Sequence, residues 1–204
     1  MEKQKNYHHG GLKDKLISNL LLAIENNTLE SFSIREFSRS IGVSPAAPYN
    51  HFKDKEDLIY NALLYSRKDF LDYLVSEKDV EENETSELIS LGKKYLFFAY
   101  KNPRIFDFIF SNKTTLKINN NFYKDINDVF MSVIQNNIDT ENFRTRVSID
   151  TSVKAAWSMV HGIACLIANR SIDIDEINGY IEGKLFDELS AIWAVGVSKP
   201  PKLR

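Results

Sequence analysis

Residues 33–58, SIREFSRSIGVSPAAPYNHFKDKEDL, are the most informative stretch of this chain of 204 residues. Ser33 and Glu36 have the spacing of a capping box, in which each side chain bonds the backbone N–H of the other residue at the start of a helix. Gly42 ends that helix, because helices commonly end with a left-handed residue, a conformation that costs glycine little. Ser44, followed by a proline, then favours the start of a new helix. The stretch therefore predicts two short helices joined by a tight turn.

Helices are predicted on both sides of this stretch. Apolar residues repeat at helical spacing from Leu12 to Ile24, and a longer amphipathic pattern runs over Lys55–Val75. The later predicted helices are Leu88–Tyr100, Pro103–Phe110, Phe122–Asn137, Phe143–Asn169 and Asp175–Val197. No run of alternating β-branched residues lies between turn signals. The sequence therefore predicts an all-α protein with a helix-turn-helix, whose second helix is exposed enough to enter the major groove of DNA.

Three blocks of this region resemble the TetR/AcrR family of transcriptional regulators. They are Phe32–Phe37, Ile41–Ser44 and Tyr49–Leu58, and the last contains the most specific pattern of the family, Tyr-x-His-Phe-x-x-Lys-x-x-Leu. The resemblance implies an N-terminal three-helix DNA-binding domain over residues 1–66. It also implies a C-terminal helical domain for ligand binding and dimerisation over residues 67–204.

The residues of this pattern have the chemistry of DNA contact. The resemblance implies contacts to the phosphate backbone from Ser33, Tyr49, His51 and Lys55. Lys55 stands near the start of the long helix, where its charge and the helix N-terminus together favour a phosphate. Arg35 reaches either a phosphate or a base edge. The predicted DNA-binding residues are Ser33, Arg35, Ser44, Pro45, Ala46, Ala47, Tyr49, Asn50, His51 and Lys55.

Base reading is expected from few side chains. Asn50 can address adenine through two hydrogen bonds, whereas Pro45 and the two alanines after it offer only apolar contact to thymine methyl groups. We therefore expect the shape of the duplex to contribute to recognition. Pro48 removes the first hydrogen bond of the recognition helix and disfavours helical geometry at the residue before it. That helix is therefore expected to start late or to be distorted.

The chain begins with a basic segment that has two interpretations. Its basic residues are Lys3, Lys5, His8, His9, Lys13 and Lys15. One interpretation is an arm that follows the minor groove or the DNA backbone. The other is a solvated tail, and the sequence leaves both open.

The C-terminal half contains Trp157-Ser158-Met159-Val160-His161-Gly162, which resembles the Trp-His-Gly motif of a subgroup of the same family. Trp157 and His161 are four residues apart and share one helix face, and Gly162 lets another backbone approach closely. His161 is either a satisfied core or interface histidine or a polar group on an aromatic ligand pocket. The predicted ligand-binding residues are Phe98, Phe106, Phe110, Phe130, Trp157 and His161.

The resemblance also implies a twofold homodimer in which the last two helices of each subunit form a four-helix bundle. The sequence is compatible with this, because apolar residues there exceed what one small core needs. They are Val153, Ala156, Val160, Ala164 and Ile167 on one helix and Leu185, Leu189, Ile192 and Trp193 on the other. Two copies are expected to bind a palindromic operator in double-stranded DNA, with half-sites roughly 34–36 Å apart or a multiple of that distance.

Composition argues against several other classes of protein. The net charge of −2 shows no overall basic character, so DNA binding must depend on a local surface. Cys165 is the single cysteine, and no apolar leader follows the polar start, so a cytoplasmic location is expected. The longest apolar stretches, such as Ile163–Ala168, are too short to span a bilayer. The His8–His9 pair lacks the carboxylates or thiolates of a metal site, so neither a metal nor a cofactor is expected.

The sequence thus predicts a ligand-responsive transcriptional regulator, a repressor released from its operator by a small, partly apolar effector. The alternative is an architectural DNA-binding dimer without a ligand. An enzyme is not expected, because the candidate nucleophiles and bases are only His161, His51 and Cys165, and Cys165 lies in an apolar stretch like a structural thiol.

Overall fold

The structure is a computed structural model that describes residues 11–76, 87–111, 121–139 and 147–197. Within these ranges it contains helices and no strand, which confirms the prediction of an all-α fold. The helices are α1 (Leu12–Glu25), α2 (Ile34–Ser40), α3 (Lys55–Val75), α4 (Glu87–Lys101), α5 (Pro103–Phe110), α6 (Asn121–Asp139), α7 (Ile149–Ala168), α8 (Ile174–Ile181) and α9 (Leu185–Val197), with one turn of 3-10 helix (Ala47–Asn50) between α2 and α3.

Helix ends follow the local capping signals. Ser33 Oγ accepts the Glu36 N–H at 3.3 Å at the start of α2, and Gly42 adopts a φ of +74° after its end. Ser148 Oγ accepts the Thr151 N–H at 3.2 Å, so α7 begins at Ile149, inside the predicted range. Residues 140–146 lie outside the described part of the chain, as does the basic segment up to residue 10.

The predicted helix Asp175–Val197 is wrong in one respect, because the structure divides it into α8 and α9. The N–H groups of Glu182 and Gly183 both donate to the Asn178 carbonyl, at 2.9 and 3.0 Å, and this closes α8. Gly183 also packs closely on Gly179, since a Cβ at Gly183 would lie 2.8 Å from the Gly179 oxygen. The break therefore depends on a close backbone contact that side-chain periodicity does not record.

The chain divides into two compact units. The first contains the described parts of Met1–Asp69 and Arg104–Lys117, and the second contains those of Phe70–Pro103 and Ile118–Arg204. Helix α3 therefore begins in the first unit and ends in the second, and nearly all of α5 belongs to the first.

In the first unit, α1, α2 and the 3-10 turn pack around a small apolar core. Leu16, Leu20 and Leu58 are fully buried there, and Phe52 is 2% exposed. Arg67 of α3 fastens α5 to this unit, because its buried Nη2 donates to the Ile109 carbonyl at 3.2 Å. The core thus holds the helix-turn-helix region while leaving its outer surface in solvent.

In the second unit, α7 is the central helix and packs against α4 and α6. Its buried residues include Val153, Ala156, Val160, Ala164 and Ile167. Of the helices described, α7 is the one long and apolar enough to cross a membrane, and 39% of its most apolar window is buried inside the protein. The core helix of a soluble protein meets the same criterion of length and composition.

Candidate nucleic-acid interface and C-terminal site

The predicted recognition helix is a single 3-10 turn. The Ala47 N–H donates to the Ser44 carbonyl at 3.0 Å and the Tyr49 N–H to the Ala46 carbonyl at 3.1 Å, both over three residues. The Pro48 ring is buried, and its carbonyl accepts the N–H groups of the next turn. The expected distortion of this helix is therefore confirmed, and its cause is the proline that lacks an N–H.

The segment around this turn has side chains exposed to solvent on its outer side and buried side chains beneath it. Pro48 and Phe52 are buried beneath it, and Tyr49 is 46% exposed above it. The exposed predicted DNA-binding residues of this segment are Ser44, Pro45, Ala46, Tyr49, Asn50 and His51, while Ala47 is half-buried. Of the predicted base-reading residues, Pro45, Ala46 and Asn50 are thus exposed to solvent.

The start of α2 adds two of the predicted contacts. Ser33 is half-buried, and its hydroxyl oxygen caps the helix by accepting the Glu36 N–H. Arg35 is exposed in the first turn. The hydroxyl proton of Ser33 remains available to a phosphate, because capping uses the oxygen as an acceptor.

Lys55 is placed differently from the other predicted contacts. Its Nζ donates to the Leu29 carbonyl at 3.1 Å and to the Phe32 carbonyl at 2.9 Å, in the loop between α1 and α2. The same ammonium lies 5.8 Å from the centroid of the Phe32 ring. In this position Lys55 ties the start of α3 to the loop that leads into Ser33.

Two carboxylates of the chain occupy the N-terminal end of α3. Asp54 Oδ1 accepts the Asp57 N–H at 2.8 Å, and Asp57 Oδ2 accepts the Lys53 N–H at 2.8 Å. These carboxylates already provide the negative charge that a helix N-terminus favours. The anion site expected beside Lys55 is therefore filled by the protein itself in this arrangement.

In the second unit, a buried tyrosine joins the Trp-His-Gly segment into a polar cluster. The Tyr95 hydroxyl lies 2.9 Å from His161 Nδ1, and Trp157 Nε1 donates to the same hydroxyl at 3.2 Å. The Phe130 ring lies 6.3 Å from the Tyr95 ring. His161 Nε2 lies 3.6 Å from Cys165 Sγ. Trp157, His161 and Phe130 are thus brought together around a residue that the sequence analysis missed.

The direction of these hydrogen bonds follows from chemistry. Indole N–H groups only donate, so the Tyr95 oxygen accepts from Trp157 and its own proton points to His161 Nδ1. Burial raises the pKa of Tyr95 and keeps it protonated, and burial lowers the pKa of His161. This assigns the remaining imidazole proton to Nε2, beside Cys165. The described polar atoms of the cluster therefore satisfy one another.

Of the other predicted ligand-binding residues, Phe98 belongs to the same unit as this cluster, whereas Phe106 and Phe110 belong to the first unit. Phe98 is buried against Phe70, whose ring also contacts Tyr95, at centroid distances of 4.8 and 5.1 Å. Phe106 and Phe110 contact each other at 4.7 Å in α5. Tyr95 could have been found as a polar member of the apolar stripe of α4, where Leu91 and Phe98 are also buried. No group of three metal-binding side chains occurs among the residues described.

The apolar residues expected at the dimer interface take two different positions. Five predicted interface residues of α7 are buried in the core of their own protomer, as is Phe186 of α9; the five are Val153, Ala156, Val160, Ala164 and Ile167. Leu166, Ile192 and Val195 remain exposed, by 45%, 69% and 75%. Gly162 is also exposed, and a Cβ there would meet nothing within 4 Å in the described part of the protomer. The exposed surface is thus a different face of α7, together with a part of α9 that includes the predicted Ile192.

Comparison with known proteins gives relatives of one functional class. No family model matches the chain. An HTH-type transcriptional regulator of Staphylococcus aureus strain USA300 is 25% identical over 167 residues, which cover 79% of this chain and 85% of that protein. A regulator of the same description from the bovine strain RF122 of that species is 23% identical over 169 residues, with the same coverage.

Solved structures share the fold. A protein of unknown function from Rhodococcus sp. RHA1 has a TM-score of 0.74 and 21% identity, over 96% of this chain and 100% of that one. FadR of Bacillus subtilis with stearoyl-CoA has a TM-score of 0.63 and 14% identity, over 90% and 98%. A TetR-family regulatory protein from Rhodococcus RHA1 has a TM-score of 0.55 and 16% identity, over 86% and 97%. The chain therefore has the all-α fold of TetR-family regulators, and the relatives found by sequence are helix-turn-helix transcriptional regulators.

Proposed function

We propose that the chain is a cytoplasmic repressor that binds a palindromic operator as a homodimer and is released by a small, partly apolar effector. The observation that carries the proposal is the outward face of residues 44–51, held in place by the buried Pro48 and Phe52. Residues 1–66 would form the DNA-binding domain, and residues 67–204 the sensing and pairing domain.

Sequence selectivity would come from Asn50 and from the shape of the duplex. Asn50 is exposed at the end of the 3-10 turn, beside the exposed Tyr49 and His51. An asparagine amide can bond adenine through two hydrogen bonds, whereas tyrosine and histidine in this setting would bond phosphates. Ser33 and Arg35 would contact the backbone from the start of α2, and Lys55 was assigned the same role by sequence.

The proposed base contact predicts a loss of discrimination in Asn50→Ala. Operator fragments are first selected from genomic DNA, and binding is then measured by fluorescence anisotropy on a selected duplex and on a scrambled one. Asn50→Ala should lower the ratio of the two affinities about 5- to 150-fold, because one bidentate base contact discriminates by about 1–3 kcal/mol. The matched variant Lys53→Ala, an exposed residue nearby, should leave that ratio unchanged. An unchanged ratio in Asn50→Ala contradicts the assignment.

A structural neighbour with a bound ligand supports the proposal of an effector. FadR, a structural neighbour, was solved with stearoyl-CoA, so this fold accommodates an amphipathic ligand in that protein. An effector would release DNA only if it binds one arrangement of the helices better than the other. A ligand that binds the chain without changing operator affinity would not be the effector.

A second candidate is the architectural dimer, which one observation favours. Hydrogen bonds within the cluster engage the polar atoms of Trp157, Tyr95 and His161, so these atoms are not offered to a ligand in this arrangement. Under this alternative, operator affinity is the same with every small molecule that binds the chain. Titration of the selected duplex in the presence of bound candidates therefore separates the two functions.

A further inference from the structure

A pocket lies in the second unit at the C-terminal end of α7. It has a volume of about 320 Å³ and is lined by Tyr100, Pro103, Ile167, Arg170, Ile172 and Ile177. None of the six predicted ligand-binding residues lines it. Its volume is at the small end of the range for ligand pockets, about 300–1,000 Å³. It is therefore separate from the aromatic cluster around Tyr95 and suited to a small molecule.

Arg170 has an unusual backbone conformation at this pocket. Its φ is +54°, the left-handed region that favours glycine. The Arg170 N–H donates to the Ile167 carbonyl and the Ser171 N–H to the Leu166 carbonyl, at 3.0 and 2.9 Å, which closes α7. A large cationic side chain thus occupies a helix end that glycine would fill with less strain. Strained residues of this kind concentrate at functional sites.

The guanidinium of Arg170 has no carboxylate partner among the residues described. Asp173 and Glu176 lie close in sequence but are engaged locally, since Asp173 Oδ1 accepts the Glu176 N–H and Glu176 Oε1 accepts the Tyr180 hydroxyl. Asp175 is exposed in the same turn. A second cation stands near the pocket, because Lys101 Nζ lies 5.0 Å from the centroid of the Tyr100 ring. The pocket therefore combines an apolar wall with a cation that no described carboxylate neutralises.

We propose that this pocket binds a small apolar carboxylate, with the carboxylate on Arg170 and the hydrocarbon against Ile167, Ile172 and Ile177. A guanidinium presents two parallel N–H groups that match a carboxylate, so the head group is recognised by geometry as well as charge. The isoleucines offer the tail only apolar contact. The inference deepens the proposed function, because the ligand would be the effector, but its binding is measured without DNA.

The test uses octanoate and 1-octanol as probes, with calorimetric titration of the whole DNA-free protein. Both probes carry the same chain, so the difference between them reports the head group. Octanoate should bind saturably and at least about tenfold more tightly than octanol, as expected for a charge-assisted hydrogen bond. Arg170→Gln should abolish that difference.

Two further variants control for charge and folding. Lys184→Gln removes an exposed cation of the same unit that does not line the pocket, and it should bind octanoate as the natural chain does. Arg170→Gly suits the positive φ, so it keeps the fold while removing the guanidinium, and it should also lose the preference for octanoate. Equal octanoate binding in both Arg170 variants and the natural chain overturns the site, as does the absence of saturable octanoate binding.

The effector role is tested separately on a selected operator duplex. Octanoate should weaken operator binding by the natural chain and not by Arg170→Gln. If octanoate binds through Arg170 and operator affinity is unchanged, the effector role is wrong. If no genomic fragment binds, the repressor proposal fails, while the calorimetric comparison still decides the pocket.

Discussion

At the scale of single residues, Lys55 supports the proposed DNA interface through hydrogen bonds to the loop before α2. Its ammonium bonds two loop carbonyls, those of Leu29 and Phe32, and Ser33 follows directly as the cap of α2. Hydrogen bonds from a charged donor contribute about 1.5–3 kcal/mol each, less where water competes. Lys55 therefore stabilises the arrangement that presents Ser33 and Arg35, whether or not it also reaches a phosphate.

This geometry predicts a specific salt dependence for Lys55→Met. A cation that contacts a phosphate adds about one unit to the slope of log affinity against log salt, whereas a cation bonded to loop carbonyls adds little. Lys55→Met should therefore weaken binding at every salt concentration with a nearly unchanged slope, and should lower the thermal midpoint. Binding of a selected duplex over a range of salt concentrations measures both.

Lys53→Ala is the control for that experiment. Lys53 is exposed, so its substitution removes a positive charge and leaves the contacts between Lys55 and the loop before α2 in place. A slope reduced by about one unit in Lys55→Met, with an unchanged thermal midpoint, would instead establish the phosphate contact predicted by sequence.

His161 predicts a pH dependence of stability. Burial lowers its pKa below the usual value of about 6.5, so the unfolded chain binds more protons between the two values. The stability that depends on neutral His161 is fully present above about pH 6.5 and is lost as the pH falls through the folded-state pKa. The thermal midpoint of unfolding should therefore decrease as the pH is lowered below about 6.5, and this decrease should be smaller in His161→Gln. An equal decrease of the thermal midpoint in His161→Gln would show that other groups cause the pH dependence. The control is His51→Gln, which changes an exposed histidine.

At the scale of the elements, close packing decides which helices meet. A Cβ at Gly92 of α4 would overlap the ring of the buried Phe186, so α9 approaches α4 only because residue 92 is glycine. Gly162 of α7 has no such neighbour. The two glycines therefore have opposite effects on stability when a methyl group is added.

Gly92→Ala should destabilise the fold by about 1–3 kcal/mol, because Phe186 must leave its position. Gly162→Ala is the matched variant and should be neutral or stabilising by up to about 1 kcal/mol, since alanine favours a helix over glycine. Chemical denaturation followed by circular dichroism compares the two. Equal effects would mean that α9 does not depend on the approach at Gly92.

At the scale of the whole molecule, the exposed apolar side chains of α7 and α9 indicate the pairing surface. Leu166, Ile192 and Val195 are large, apolar and between 45% and 75% exposed. We expect a partner to cover these side chains, because protein interfaces remove exposed apolar surface from water. A dimer formed through these residues would use the helices that the resemblance assigns to it, but on a face that the sequence analysis only partly identified.

Ile192→Glu should yield a monomer with unchanged helicity, because the side chain contributes little to its own protomer at 69% exposure. Operator affinity should fall at least about tenfold, since a dimer binds its second half-site at high effective concentration. Light scattering measures the mass, and anisotropy measures the affinity. Leu64→Glu, at a residue of α3 that is 43% exposed, should remain dimeric. A dimeric Ile192→Glu would place the interface elsewhere.

Local sequence patterns were sufficient to predict the helices, most of their ends and the all-α class of the fold. Apolar spacing, the Ser33 cap and Gly42 act within a few residues, so one window of sequence contains the physical cause. The distortion at Pro48 was predictable for the same reason, because a missing N–H is a property of the residue itself.

Contacts between residues far apart in the chain became known from the packing of the helices. Lys55 bonds carbonyls 23 and 26 residues earlier, and Tyr95 bonds His161 across 66 residues. Periodicity shows that α7 has an apolar face, but not which of its residues the protomer buries and which it leaves for a partner. Such contacts depend on how helices pack, and packing is set by shape and volume shared between segments that no local pattern relates.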